Sequence, residues 1–126
     1  QENRHIIKGE IADYWLSPEG ILYSYSKSIE RTVENIVNNT VLIKKITSDR
    51  KVPLLIFLTP TPVPDKTTRK FATTVLPKIY SAMAMVAPSA LTRMVMNMVF
   101  GLKKPPIPTR SFTNEAEAHA WLKQYV

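Results

Sequence analysis

The sequence predicts an α/β fold, namely a mixed β-sheet with an N-terminal hairpin, a parallel βαβ core and about four helices. Near the start of the chain, a proline–glycine turn separates two short segments of alternating apolar and polar residues, as in a hairpin. Further on, two apolar runs at residues 52–58 and 80–86 are separated by a helix-length segment. Because neighbouring parallel strands cannot be joined by a hairpin, this spacing indicates a βαβ crossover. The length of 126 residues suits one domain, residues 1–126, with a single core.

The N-terminal hairpin is predicted from the turn Pro18-Glu19-Gly20, because proline presets φ and glycine accepts a positive φ. The turn joins residues 4–17 to the alternating run ILYSYS. The next element is a helix with Thr32 as its N-cap and Glu34 in its first turn. The residues at helical spacing that should form its inner stripe are Val33, Ile36, Val37, Thr40, Val41 and Ile43.

The central part of the chain carries the βαβ core. Residues 52–58 are apolar on both faces, as expected for a central strand that is covered on both sides. The loop at residues 59–64 is rich in proline, which imposes an extended course. Asp65 should cap the following helix, and Pro77 should end it. Residues 80–86 then form the second buried strand.

Two helices complete the predicted fold. Ser89 is the predicted N-cap of the first helix. One continuous face of that helix should point inward, and it comprises Leu91, Met94, Val95, Met98, Val99 and Leu102. Met96 and Phe100 then point to the opposite side and, with Arg93, form a candidate interface, unless a neighbouring loop covers them. The last helix should begin after residues 113–114, with glutamates in its first turn.

Composition excludes several kinds of site. The chain has no cysteine, which rules out disulfides, thiolate metal centres and cysteine nucleophiles. Its two histidines, His5 and His119, lie far apart without ligand-like neighbours, so we predict neither a metal nor a cofactor. The N-terminal segment has no apolar signal region, and no window is long and apolar enough to span a bilayer. We therefore expect a cytoplasmic protein without a membrane span.

The net charge is +7, with 17 Lys+Arg against 10 Asp+Glu. This balance is compatible with nucleic acid, an anionic membrane surface or an acidic partner. The basic residues are scattered in pairs, however, and lack the interleaved aromatic residues that stack on bases. A solvated basic surface is the favoured interpretation, and we do not predict nucleic-acid binding.

The sequence contains no catalytic signature. Its three glycines, Gly9, Gly20 and Gly101, are isolated, so a glycine-rich phosphate loop is missing. A G-x-S-x-G elbow with an activating histidine is missing too. The carboxylates fall at predicted turns, helix starts and exposed positions, where capping or solvation explains them. We therefore predict that the protein is not an enzyme.

Two features favour a binding function instead. The loops after the buried strands, at residues 59–65 and 87–89, should open at the same sheet edge, where α/β sheets place ligands. The candidate residues of this ligand or switch loop are Thr59, Asp65, Thr67, Thr68 and Ser89. In addition, all five methionines fall within residues 83–98, which suits a lipid-like pocket, a partner interface or a Met-rich core.

Four stretches of the chain carry a family resemblance, namely VPLLIFL, RKFATT, AMAMVAPSALTRMVMNMVFGL and KKPPIPTRSFTNEAEAHAWLK. The segment KPPIPTRSFTNEAEAHAWL is the distinctive one, and the others match in pattern. From Trp15 onward the chain resembles a family of small bacterial proteins with a STAS-like fold, often grouped as SpoIIAA-like or STAS/SEC14-like. The resemblance implies a mixed sheet with helices on its faces and a non-enzymatic function. By analogy with anti-sigma-factor antagonists, it also implies regulation through protein–protein interaction.

The resemblance also bears on the loop after the central strand. In those regulators a serine or threonine at the start of the next helix is phosphorylated, and Thr67 or Thr68 would be the nearest equivalents here. The chain departs from the family pattern, because Thr59 replaces the acidic residue that usually ends the strand and prolines fill the loop.

The functional prediction is a non-catalytic STAS-like domain that acts by protein–protein interaction, as a homodimer or with another protein, in a regulatory role. The alternative is a carrier or sensor of a small apolar or lipid-like ligand, held between the sheet and the Met-rich helix.

Overall fold

A computed structural model describes residues 4–99 and 104–126 of the protein. The strands are β1 (Ile7–Lys8), β2 (Ala12–Leu16), β3 (Leu22–Ser26), β4 (Val52–Phe57), β5 (Tyr80–Val86) and β6 (Thr109–Phe112). The helices are α1 (Val33–Thr47), α2 (Lys66–Ile79), α3 (Ser89–Val99) and α4 (Glu115–Leu122), and a short 3₁₀ turn follows at Lys123–Tyr125.

All six strands form one mixed sheet in the order β1-β2-β3-β4-β5-β6. Strand β2 is antiparallel to both of its neighbours, β1 and β3, whereas β3, β4, β5 and β6 are parallel. Each parallel step crosses over through a helix, as parallel neighbours require. The predicted mixed sheet, N-terminal hairpin and parallel βαβ core are therefore confirmed.

The hairpin between β2 and β3 closes through a short hydrogen-bonded turn. The Ser17 amide donates to the carbonyl of Ile21 at 2.9 Å, and the Ile21 amide donates to Ser17 Oγ at 3.0 Å. Gly20 lies in the turn with a φ of 99°, a conformation that glycine adopts without steric cost. The turn Pro18-Glu19-Gly20 is thus formed as the sequence predicts.

The first face of the sheet is covered by α1, α2 and α3. Thr32 caps α1 as predicted, and it exchanges hydrogen bonds with Asn35 in a reciprocal capping box. The predicted inner stripe of α1 is partly wrong, because Val37 and Val41 are 44% and 51% exposed while Ile43 is buried. Apolar residues surround most of this helix, so their spacing alone did not define which side packs on the sheet.

The C-terminal end of helix α2, at Pro77, differs from the prediction. This proline does not end α2, which continues to Ile79. Pro77 lacks an N–H and removes one hydrogen bond, but it does so in the last turn, where little helix remains to be disrupted. Ile79 is buried and the Tyr80 amide donates to the Leu76 carbonyl, so packing and this closing bond maintain the turn.

Helix α3 is rotated relative to the prediction. Met96 packs against the core of the first face, whereas Met94 is 42% exposed, so the predicted directions of these two methionines are wrong. The inward side begins at buried Thr92 and continues through Val95 and Met96, which follow it by three and four residues. The inner side of α3 therefore includes a polar residue and does not coincide with the apolar stripe predicted from the sequence. Phe100 and Leu102 lie outside the described residues.

The second face of the sheet is covered by α4, and its core combines small residues of β5 with aromatic rings. Ala82 and Ala84 of β5 pack with Ala118 and Leu122 of α4. Beside this contact, Tyr25 and Phe57 stack with their ring centroids 5.1 Å apart. Other half-buried rings on this face belong to Trp15, Phe112, Trp121 and Tyr125.

Ile43→Ala is expected to lower the free energy of unfolding by about 2–5 kcal/mol, because it deletes a side chain that is 1% exposed. Val41→Ala, on the same helix, is the matched control and should change stability by no more than about 0.5 kcal/mol. Urea denaturation followed by circular dichroism measures both. A large loss for Val41→Ala would mean that α1 has the orientation expected from its apolar stripe.

Candidate functional site

A cavity of about 240 Å³ lies between the first face of the sheet and the three helices that cover it. Four strands and three helices contribute to its wall. The apolar part of the wall includes Leu54, Ile56, Ala72, Leu76, Met83, Met85 and Val95. The space is partly open to solvent, and it is larger than the water-sized voids that occur in protein interiors.

A polar cluster is built into this apolar wall. Asn39 of α1 donates its Nδ2 hydrogen to the Tyr14 hydroxyl at 2.6 Å, and Tyr14 is also in hydrogen-bond contact with Ser24. The Oδ1 atom of Asn39 is buried and has no hydrogen-bond partner among the described residues. Because most buried polar atoms in proteins are paired, this acceptor is an unusual, unsatisfied group in the wall of the cavity.

Arg31 brings a positive charge to the same cavity. Its guanidinium donates to the carbonyls of Lys27 and Ile29 at 2.8 and 2.6 Å, and to Ser26 Oγ at 2.8 Å. These bonds use three of its five N–H groups and hold the side chain in place. Burial lowers the pKa of Arg31, but an arginine remains protonated in any folded protein. The cavity therefore combines an apolar interior with one fixed cation.

The two buried tyrosines of the cavity stay neutral at physiological pH. Burial raises the pKa of Tyr14, although the hydrogen bond from Asn39 opposes this shift. Burial also raises the pKa of Tyr80 well above its ordinary value. Neutral phenols can donate as well as accept hydrogen bonds, which suits recognition rather than proton abstraction.

A second, polar cleft of about 250 Å³ lies at the carboxyl ends of β5 and β6. It is lined by Ala87, Ser89, Thr92, Arg110, Ser111, Phe112, Thr113 and Glu117. Of the predicted loop residues, Ser89 is the one that contributes to this cleft.

Three of the remaining predicted loop residues, Thr59, Asp65 and Thr68, form hydrogen bonds within the protein. Asp65 Oδ1 accepts from the Thr68 amide at 2.8 Å, and this bond holds the pKa of Asp65 below its ordinary value. Thr68 is buried, whereas Thr67 is exposed. Thr59 donates its hydroxyl to the carbonyl of Ser26 at 3.3 Å, which ties the start of the loop to β3. The structure thus pairs Asp65 with Thr68 as a helix cap.

The predicted interface residues are distributed differently. Arg93 and Met94 are exposed on α3, while Met96 packs against the core. Phe100 lies outside the described residues. Met94 therefore takes the exposed position that the sequence assigned to Met96.

The candidate site residues that the sequence did not identify are Arg31, Asn39 and Tyr14 in the cavity, and Thr92 and Arg110 in the cleft. The sequence contains one indication of the cavity site, since Asn39 is a polar residue within an amphipathic helix. The other candidate residues are distant in sequence, and only the sheet topology brings them close together. Within residues 4–99 and 104–126, no group of His, Cys, Asp or Glu side chains suits a metal ion. None of the helices described here is long and apolar enough to cross a membrane.

Comparison with known proteins adds a family and a fold. Residues 14–126 match the model of a family described as "Domain of unknown function (DUF7793)". Among solved structures, the chain is similar to an uncharacterised DUF3478-family protein with a SpoIIAA-like fold from Shewanella loihica PV-4. That match has a TM-score of 0.57 and 14% identity, and it covers 95% of this chain and 92% of the other. The SpoIIAA-like fold predicted from the sequence is therefore confirmed.

A second solved structure, a protein of unknown function from Arthrobacter sp. FB24, is 24% identical over 92% of this chain and 96% of that one. Its TM-score of 0.34 is too low to support any structural conclusion. No curated protein matches the chain.

The pH dependence of stability offers a test of the cavity wall. The pKa of Tyr80 in the folded protein lies well above its ordinary value of 10.0. As the pH rises from this ordinary value towards the folded pKa, the unfolded chain loses a proton that the folded protein keeps, so stability falls. Tyr80→Phe removes this group.

We expect Tyr80→Phe to reduce the loss of stability between about pH 8 and about pH 11, which urea denaturation at the two pH values measures. An identical loss in the wild type and in Tyr80→Phe would show that the hydroxyl is not buried as described.

Proposed function

The chain belongs to the DUF7793 family, and we propose that it acts by binding, as a carrier or sensor of a small apolar ligand held between the sheet and α1–α3. The observation that carries this proposal is the cavity of about 240 Å³ whose wall is mostly apolar. Ligand sites are commonly apolar cavities with a few placed polar groups, and this cavity has that composition.

The polar groups indicate what kind of apolar ligand fits. Arg31 supplies a fixed positive charge, so an anionic head group is favoured over a neutral hydrocarbon. Asn39 Oδ1 supplies a buried acceptor that has no protein partner in the described structure. The cavity lies somewhat below the range of about 300–1,000 Å³ that is usual for drug-sized ligands, so the ligand should be small. A short amphiphile with one acidic group meets these conditions.

The methionine side chains in the cavity wall are suited to a protein that carries a ligand. Met83 and Met85 of β5 line the cavity, and methionine side chains adapt to irregular apolar shapes. The titratable groups in the wall support binding rather than catalysis, since Tyr14 and Tyr80 are held neutral and Arg31 does not act as a base.

Ala72→Phe should abolish ligand binding by filling the cavity from α2, because Ala72 lines its wall. The probe is anilinonaphthalene sulfonate, an amphiphile with an apolar body and one anionic group, and its fluorescence reports binding. We expect at least about a tenfold loss of affinity, since the displaced probe loses apolar contacts worth more than 1.4 kcal/mol. Native mass spectrometry of freshly purified protein should also show a bound small molecule in the wild type.

Ala116→Phe is the matched control, because it makes the same change at an exposed position of α4. Circular dichroism must show that both variants are folded. Equal probe affinity in Ala72→Phe and Ala116→Phe would contradict a binding site in the cavity.

Protein–protein interaction is a second candidate, favoured by the exposure of Met94 beside Arg93 on α3. A large apolar side chain that is 42% exposed gains free energy when a partner covers it. We take a second copy of this chain as the partner to be tested, which is the homodimer expected from the sequence.

Met94→Asp should shift sedimentation velocity from dimer to monomer if α3 forms the interface, because a carboxylate would be desolvated at the contact. Val37→Asp is the control, since Val37 is equally exposed at 44% but lies on α1. A monomeric wild type, or a dimer that survives Met94→Asp, would argue against this interface.

A further inference from the structure

The cleft at the carboxyl ends of β5 and β6 is a second site of different chemistry from the apolar cavity. Its volume is about 250 Å³, and its lining is mostly polar. Ser89 and Thr92 come from the start of α3, Arg110 and Ser111 come from β6, and Glu117 comes from α4. Parallel sheets place ligands at this end of their strands because loops and helix starts converge there.

Thr92 is the residue that ordinary packing does not explain. It is 4% exposed, and its Oγ1 has no hydrogen-bond partner among the described residues. A helical threonine normally donates to the carbonyl four residues earlier, as Thr40, Thr47 and Thr73 do in this protein. For Thr92 that carbonyl belongs to Pro88.

The Pro88 carbonyl already accepts the amides of Leu91 and Thr92 at 3.0 and 3.1 Å. Its two lone pairs are therefore occupied, and the Thr92 hydroxyl is left buried without a partner, next to the cleft that this residue lines. A buried hydroxyl without a partner is uncommon in proteins and costs stability unless a ligand or water satisfies it.

The other groups around Thr92 favour an anion. The first N–H groups of a helix have no partner within the helix, and in α3 these belong to Ser89 and Ala90. Such amides and the helix dipole favour negative charge, and phosphate is a common ligand there. Arg110 adds a cation, and its guanidinium lies 5.6 Å from the centre of the Phe112 ring.

Glu117 limits which anion fits. Its Oε2 accepts from Asn114 Nδ2 at 2.7 Å, and its carboxylate has further capacity to accept hydrogen bonds. A bare anion would be repelled at this side of the cleft, whereas a ligand hydroxyl would donate to the carboxylate. The lining therefore has an anion-binding side at α3 and a hydroxyl-binding side at α4.

We infer that this cleft binds a small hydroxylated organic phosphate. The phosphate group lies against the start of α3, where Ser89, Thr92 and Arg110 contact it, and a ligand hydroxyl donates to Glu117. This site is spatially separate from the apolar cavity, because Thr92 and Arg110 line the cleft and not the cavity.

Titration of the full chain with glycerol phosphate, followed by amide chemical shifts in two-dimensional NMR, tests the inference. Saturable shifts are expected at Ser89, Ala90, Thr92 and Ser111. Arg110→Gln should weaken binding by about tenfold or more, because a charge-assisted hydrogen bond is lost. Arg50→Gln, which removes an exposed arginine from the turn before β4, is the control for net charge and should leave the dissociation constant within about twofold.

Thr92→Val provides a second, structural readout. It should weaken binding of glycerol phosphate without lowering the thermal midpoint of the free protein, because it replaces an unpaired buried hydroxyl by a methyl group. The inference is overturned if the shifts do not saturate, if glycerol alone binds as tightly, or if Arg50→Gln is as damaging as Arg110→Gln. Unchanged binding in Thr92→Val would overturn it as well.

Discussion

The parallel pairing of β4 with β5 is the interaction on which the rest of the structure depends. Both strands have a neighbour on each side in the sheet, and their side chains contribute to the cores of both faces. Along β5, small and large residues alternate, with Ala82 and Ala84 on one face and Met83 and Met85 on the other. Because successive side chains of a strand point to opposite faces, this alternation makes the two faces unequal.

That inequality accounts for a difference in packing between the two faces. The alanines of β5 present little bulk, so α4 packs directly on them through Ala118 and Leu122, which are fully buried. The methionines face three helices, whose side chains must meet over a broad surface of the sheet. The cavity lies at this junction, and its wall is completed by flexible methionines rather than by branched side chains with fixed shapes. Close packing on one side of β5 and a cavity on the other are therefore two consequences of one sequence pattern.

Local chemistry made much of this fold predictable from the sequence. Thr32 and Asp65 cap helices because their side chains bond amides a few residues away, and Gly20 turns the hairpin through its own backbone freedom. The orientations of α1 and α3 were not predictable in the same way. Each has apolar residues on more than one side, and each buries a polar residue, Asn35 or Thr92, that a search for apolar stripes assigns to solvent.

The candidate sites were less predictable than the fold because they join residues that are distant in sequence. Asn39 meets Tyr14 across 25 positions, and no spacing rule connects them. The cleft depends in the same way on Arg110 of β6 reaching the start of α3 through the parallel pairing of β5 with β6. The sequence indicated that region only through Ser89, because α/β sheets place ligands at the carboxyl ends of their strands.

Helix α3 connects the two proposed sites, since Val95 lines the cavity and Thr92 lines the cleft less than one helical turn away. A ligand that shifts α3 when it fills one site necessarily alters the wall of the other. By linkage, any such effect is reciprocal, so the affinity of each ligand would change by the same factor when the other is bound. The exposed side of this helix carries Met94 and Arg93, so a partner protein that covers them would act on the same element. The position of α3 is thus one structural variable through which ligand binding and protein interaction would influence each other.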